Sequence, residues 1–298
     1  AHINGSLSPE SPTATYNNKY SGSQGLHQVY LGVGAEPLRN LSVGVNASYL
    51  WGGYTKYVTN TYSDAYVNTL QRTYTAEVRS YKLDFGLQYT QPLSAKDQVT
   101  LGLTYSLGHS LNADPELSVI KNNSQLAVAD TTHFRISNAL DLPHTFGVGA
   151  VYSHNGQLMV GADYQLQKWG SLDYPQYSDQ GGYGLQSGLL KDRHKVVLGA
   201  DYCRGERHRG FLSRLHYRAG IGYATPYFTI NGQDGPKEIS ASLGLGIPIV
   251  NSYNNRSMLN ISAQWVRREA SSMLTENTFR INIGFTFNER MFAKFKVE

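Results

Sequence analysis

Cys203 is the only cysteine in the chain, so neither an intramolecular disulfide nor a zinc site built on cysteine pairs can form. Long apolar runs are missing as well. Nothing approaches the roughly 18 consecutive apolar residues that a membrane-crossing helix needs, and the mean hydropathy is −0.39. A helical membrane protein is thereby excluded, but a membrane barrel is not, because alternating strands dilute the hydropathy signal. Charge is scarce, at 16% of residues with a formal net of +4, and no Lys/Arg run interleaves with aromatics as a nucleic-acid footprint would. Gly-x-Ser-x-Gly, His-Glu-x-x-His and a phosphate-cradling glycine loop are all lacking, so no enzyme, cofactor or metal is expected. The first residue is Ala1 rather than Met, and no charged-then-apolar signal segment follows, so the chain reads as mature or truncated.

What fills these gaps is glycine, with 30 residues, and tyrosine, with 22, both suited to a membrane barrel. Strict alternation runs from end to end. Leu41, Val43, Val45, Ala47, Tyr49 and Trp51 alternate with Ser42, Gly44, Asn46 and Ser48. The rule repeats in Val99 to Leu107, in Ile239 to Ile249, and in Phe279, Ile281, Ile283, Phe285 and Phe287 against Arg280, Asn282, Gly284 and Thr286. Each ribbon has one greasy face and one polar, glycine-rich face.

By this template about eleven strands are predicted, at 25–35, 40–52, 75–91, 97–109, 143–153, 157–168, 194–204, 211–224, 237–249, 257–268 and 278–288. Most are ten residues or longer, whereas a tilted membrane-crossing strand needs about nine to eleven and a globular strand averages about five or six. The connections alternate between short turns, at 36–39, 92–96, 154–156, 205–210 and 251–256, and long loops, at 53–74, 110–142, 169–193, 225–236 and 269–277. Membrane barrels keep short turns periplasmic and long loops outside. On that basis the first and last strands both run inward and the C-terminus is periplasmic. Eleven is odd, so at least one outward-running strand should precede residue 25. Residues 1–24 read as an external loop or the remnant of a preceding strand, 25–288 as the barrel, and 289–298 as a periplasmic tail or short strand. That tail could also carry the signal read by the barrel-assembly machinery during biogenesis. Tyr49, Trp51, Tyr81, Trp265 and Phe279 gather towards the outer strand ends, and Tyr89, Tyr152, Tyr202, Phe211 and Phe287 towards the inner ones, as aromatic girdles do.

Four stretches, 31–53 (LGVGAEPLRNLSVGVNASYLWGG), 142–175, 247–269 and 276–298, together resemble the FadL-type outer-membrane transporters of long-chain fatty acids and hydrophobic compounds. The most telling piece is the Gly-Val-Gly strand, tight turn and Ala-Asp-Tyr strand ending in Lys168-Trp169. The resemblance implies a barrel of about fourteen strands, of which eleven or twelve lie here, and passive uptake of a hydrophobic or amphipathic small molecule. It also implies an N-terminal hatch with an Asn-Pro-Ala type motif. Neither is in this sequence, so hatch-based gating and a lateral opening transfer to no residue of the chain.

On the inward phase each charge is informative. Val160-Gly-Ala-Asp163-Tyr and Leu198-Gly-Ala-Asp201-Tyr are near repeats that put an aspartate into the lumen, and the next strand is expected to point Arg214, His216 and Arg218 inward. Folding over the turn at 205–210 then brings Asp201 near Arg214, with His216 and Arg218 deeper. Lys82, Asp84 and Arg280 share that phase. These residues could form a constriction that grips a carboxylate through Arg214 or Arg218, or a structural ion-pair ladder filling a narrow lumen, which is the more usual use of interior barrel charges. Glycines 32, 34, 44, 86, 102, 147, 149, 161, 199, 220, 222, 244, 246 and 284 lie on the same face and read chiefly as aids to barrel closure. The basic turn Arg204, Arg207, His208 and Arg209 reads as solvated, with a periplasmic partner or an inner-leaflet phosphate as the alternative. Three functions stay open: passive uptake, a plugged structural or assembly protein binding a partner through its loops, and a membrane-barrel hydrolase built from dispersed Ser, His and Asp. Membrane lipid and a hydrophobic small molecule are the expected partners, with no nucleic acid, and the expected location is the Gram-negative outer membrane.

Overall fold

The structure, a computed structural model, describes residues 2–6, 15–23, 25–62, 69–123, 128–178, 182–205, 208–230, 232–250, 256–270 and 275–286. In chain order the strands are β1 (His2–Ser6), β2 (Thr15–Ser23), β3 (Leu26–Leu38), β4 (Leu41–Tyr62), β5 (Thr69–Pro92), β6 (Asp97–Ser106), β7 (His109–Ser110), β8 (Glu116–Asn123), β9 (Val128–Arg135), β10 (Asp141–Leu142), β11 (Thr145–His154), β12 (Leu158–Gln167), β13 (Tyr174–Ser178), β14 (Gly182–Gln186), β15 (Arg193–Tyr202), β16 (His216–Ala224), β17 (Thr229–Ile230), β18 (Gln233–Asp234), β19 (Lys237–Val250), β20 (Arg256–Glu269) and β21 (Glu276–Thr286). A one-turn helix, α1 (Phe211–Arg214), precedes β16.

Eleven strands form the barrel wall as an antiparallel meander, in the order β3-β4-β5-β6-β11-β12-β15-β16-β19-β20-β21. The alternating pattern makes this wall. In β15 and β16, Val196, Leu198, Ala200 and Tyr202, and Tyr217, Ala219, Ile221 and Tyr223, are exposed, while the residues between them are mostly half-buried on the other face. Leu243, Ile281 and Ile283 are each about two-thirds exposed or more, because the greasy face points away from the protein. A wall of this kind is stable only against hydrocarbon, and the fold is that of an outer-membrane β-barrel.

The wall is not closed among the described residues. β3 pairs with β4 alone and β21 with β20 alone. Both edges run from the long-loop end to the short-turn end.

Three sequence expectations need correction. The long loops at 53–74 and 110–142 are largely strand. β4 and β5 stay in unbroken register up to Asn60↔Leu70, and β8 and β9 form a hairpin on the upper part of β5. The physical reason is composition: Tyr54 to Tyr62 and Thr69 to Thr75 are rich in Thr, Tyr and Val, which favour strand even where no lipid-facing side imposes an apolar alternation. Residues 1–24, expected as a loop or strand remnant, contain β1 and β2, and β2 adds to the upper part of β4 through Tyr16↔Tyr62 to Ser23↔Thr55. Finally, the expected strand 211–224 begins at His216, with α1 in place of its first turn. The expected tail, 289–298, and the girdle residue Phe287 lie outside the described residues.

The upper halves of β4 and β5, with β1, β2, β8 and β9, make a sheet, the cap, that extends from the wall at its long-loop end. Most of the buried core is here. Leu117 is fully buried, and Val58, Ala76, Val78, Leu111, Ala113, Val119 and Ala139 are buried beside it. Leu140 and Leu142 close the cluster around Val78 and Leu111.

Candidate functional site

The lumen holds two polar clusters. The register sets Asp201 of β15 directly opposite Arg218 of β16, and His216 lies two residues further along the same face. Arg218 Nε donates to Asp201 Oδ2 at 2.8 Å, and His216 Nδ1 lies 2.9 Å from Asp201 Oδ1. The other end of the guanidinium reaches across β19, where Nη1 donates to Asn260 Oδ1 at 2.7 Å. Glycine makes that reach possible. A Cβ at Gly246 would lie 3.0 Å from His216 Cβ and 3.1 Å from Met258 Sδ, so the inward glycines accommodate large polar neighbours as well as easing curvature. The second cluster is local: Lys82 Nζ donates to Asp84 Oδ2 at 2.6 Å, two residues along β5, and Ser106 Oγ donates to the other carboxylate oxygen.

The remaining sequence candidates do not join these clusters. Arg214 is not beside Asp201, because β15–β16 pairing ends at Tyr202↔Tyr217 and α1 carries Arg214 out of the ladder. Its backbone carbonyl accepts from Cys203 Sγ at 3.5 Å instead. Asp163 stands opposite Gly149 and Val197, because the repeated Gly-Ala-Asp-Tyr motif falls on antiparallel strands and its two aspartates land at different heights. Arg280 faces Gln264 and is exposed.

A tyrosine-rich roof adds a third group of residues, which strand periodicity does not announce. Inward residues of β4 and β5 continue upward as Tyr54, Lys56, Val58, Arg72, Tyr74 and Ala76, and register extends this face to Leu117, Val119 and Phe134. The β13–β14 hairpin lies on it. Tyr183 meets Tyr74 with ring centroids 6.3 Å apart, Tyr177 meets Phe134 at 6.1 Å, and the Arg72 guanidinium stands 4.9 Å over the Tyr177 ring. Burial pushes the hydroxyls of Tyr54, Tyr74, Tyr174 and Tyr183 above the usual tyrosine range, with neighbouring tyrosines adding to the shift for Tyr54, Tyr74 and Tyr183. The hairpin base is pinned by ion pairs, Lys168 with Asp192 and Lys191 with Asp234, and by Trp169 packed at a tilt against Tyr227 with ring centroids 5.5 Å apart. The Lys168 ammonium, with the Gly170 amide at 2.9 Å, holds the Asp192 carboxyl below its ordinary value. The signal available in sequence was the clustering of Tyr174, Tyr177 and Tyr183 in one connection.

At a short turn, Ser94 Oγ donates to Asp97 Oδ2 at 2.6 Å, and His154 Nδ1 lies 2.7 Å from Asp97 Oδ1. The aspartate is central, which clasps a turn. A hydrolase relay requires the histidine between serine and aspartate.

No curated protein sequence matches the chain. Among solved structures, the CymD monoaromatic hydrocarbon channel aligns with a TM-score of 0.61 at 14% identity, covering 93% of this chain and 80% of that one. The Pseudomonas putida toluene transporter TodX aligns at 0.60 and 12%, covering 94% and 80%. A Pseudomonas aeruginosa FadL homologue aligns at 0.57 and 16%, covering 91% and 65%. The fold is therefore that of the FadL-type channels, as the resemblance implied. A family model described as BamG matches residues 4–298, and the chain belongs to the BamG family.

Proposed function

We propose that this barrel sits in the outer membrane with its short turns and C-terminus periplasmic, and serves there as a plugged structural component associated with the barrel-assembly machinery. Membership of the BamG family carries the reading, since that name points to the machinery. Two features support it. The β13–β14 hairpin lies over the lumen-side face of the cap, and the two lumenal clusters satisfy most of their charge internally, which suits a plug more than a ligand grip. The cap, with its ordered strands, is the surface offered to a partner. Residues 25–288 act as one barrel domain, and the strands in 1–24 belong to the cap. The test is gentle extraction of the full-length protein from native membranes at native expression. An assembly-machinery subunit should co-purify, and removal of the β8–β9 hairpin should release it. Purification as a lone barrel would end this reading.

A second reading has one observation in its favour: the fold is shared with proteins described as a monoaromatic hydrocarbon channel and a toluene transporter. Under it the barrel takes up hydrophobic or amphipathic small molecules, fatty acids among them, without energy coupling. Liposomes carrying the full-length protein should then accumulate toluene or oleate faster than empty ones. Equal rates would remove it.

A further inference from the structure

The lipid-facing wall is dented on its periplasmic half. Register aligns Ala200, Ala219 and Leu243 across β15, β16 and β19, and Leu243 with Ala263 of β20; the next row begins with Tyr202 and Tyr217. The alanines form the floor of an apolar groove of about 590 Å³ that the two tyrosines bound at its periplasmic end. That volume falls within the range of about 300–1,000 Å³ typical of small-molecule sites. Arg204 follows Tyr202 by two residues and Arg209 precedes α1 by two; both are exposed, and neither is drawn into an ion pair among the described residues. Next comes α1, where Phe211 and Leu212 are 57% and 67% exposed. α1 is tied to the groove wall, because Tyr217 Oη donates to the Leu212 carbonyl at 3.0 Å. The wall thus offers an apolar trough, then an aromatic step, then free guanidinium groups beside exposed apolar side chains, in the order in which a phospholipid presents acyl chain, glycerol and phosphate.

We propose that the groove, with Arg204 and Arg209 beyond its tyrosine rim, is one binding site for an anionic phospholipid of the periplasmic leaflet, its acyl chain over the alanine floor and its phosphate held by the two guanidinium groups. The site requires the outer-membrane orientation given above, and it is independent of whether the barrel conducts. Full-length protein is delipidated, exposed to equal amounts of phosphatidylglycerol and phosphatidylethanolamine with identical acyl chains, and its retained lipid measured by native mass spectrometry. Phosphatidylglycerol should be preferred by about tenfold. Arg204→Gln with Arg209→Gln should abolish that preference, and Ala219→Phe, which fills the floor, should lower retention of both lipids. A heat-modifiable gel shift verifies that each variant is folded. Equal retention of the two lipids by the unaltered protein, or a preference that survives loss of both arginines, overturns the proposal. So does a double variant that keeps its lipid but loses a co-purifying periplasmic protein, since the turn then serves that protein.

Discussion

A carboxylate turned into a narrow lumen needs donors, and Asp201 takes them from His216 Nδ1 and Arg218 Nε. Removing one partner leaves the other charge half-desolvated, which costs more than the pair contributes. Arg218→Gln is expected to destabilise the barrel by about 2 kcal/mol, read as a lower denaturant midpoint in micelles, and Asp201→Asn in that background should recover part of the loss. Full additivity of the two changes would show that they do not act as a unit. At the roof, the Asp192 carboxyl is held below its ordinary value by Lys168. Its contribution is therefore fully present above the unfolded value, about 4, and is lost only as pH falls through the still lower folded value. Protease sensitivity of residues 169–193 should stay constant from neutral pH down to about pH 5 and rise only in stronger acid, whereas Asp192→Asn should show the raised sensitivity already at neutral pH. Alternation fixes faces, and the register brings Asp201, His216 and Arg218 together on one of them. Arg214 lies off that ladder in α1, because where a ladder stops depends on turn geometry that periodicity does not record.

At the scale of elements, strands that cross lipid announce themselves and strands that rise into water do not. The eleven wall strands were legible because hydrocarbon on one side and a polar lumen on the other impose a period of two. Above the wall both faces are wet or packed on other protein, so β8, β9, β13 and β14 carry no clean alternation, and only their Thr, Tyr and Val content hints at strand. The β13–β14 hairpin should act as the seal of the lumen. Replacing residues 174–186 with a short glycine-serine linker is expected to raise outer-membrane permeability to a bulky hydrophilic antibiotic, and unaltered permeability would mean that the lumen is blocked lower down. Phenolic burial gives a second handle. Because the folded hydroxyl values of Tyr54, Tyr74, Tyr174 and Tyr183 are raised, cap stability is complete below about pH 10 and is lost as pH climbs through the folded values. Their ionisation, followed by tyrosinate absorbance, should coincide with loss of cap structure rather than precede it.

Taken whole, the molecule inverts the usual distribution of apolar residues: the wall shows its large side chains to the surroundings, and the buried cluster lies in the cap. Detergent or lipid should therefore be needed to keep it monodisperse, and amide exchange in micelles should be slowest in β12 and β15, which are paired on both sides, and faster in β3 and β21. Uniform protection across the wall would mean that the two edges are covered. The direction of those edges also limits what can cover them. Both run from the long-loop end to the short-turn end, so identical molecules standing side by side could offer each other only rims that point the same way, and the antiparallel weave of the rest of the wall would not continue from one to the next. An antiparallel partner for either rim must run the opposite way, from the short-turn end to the long-loop end, whereas a second copy in the same orientation could meet these rims only as a parallel pair, with the slanted and slightly weaker bonding that such a seam carries.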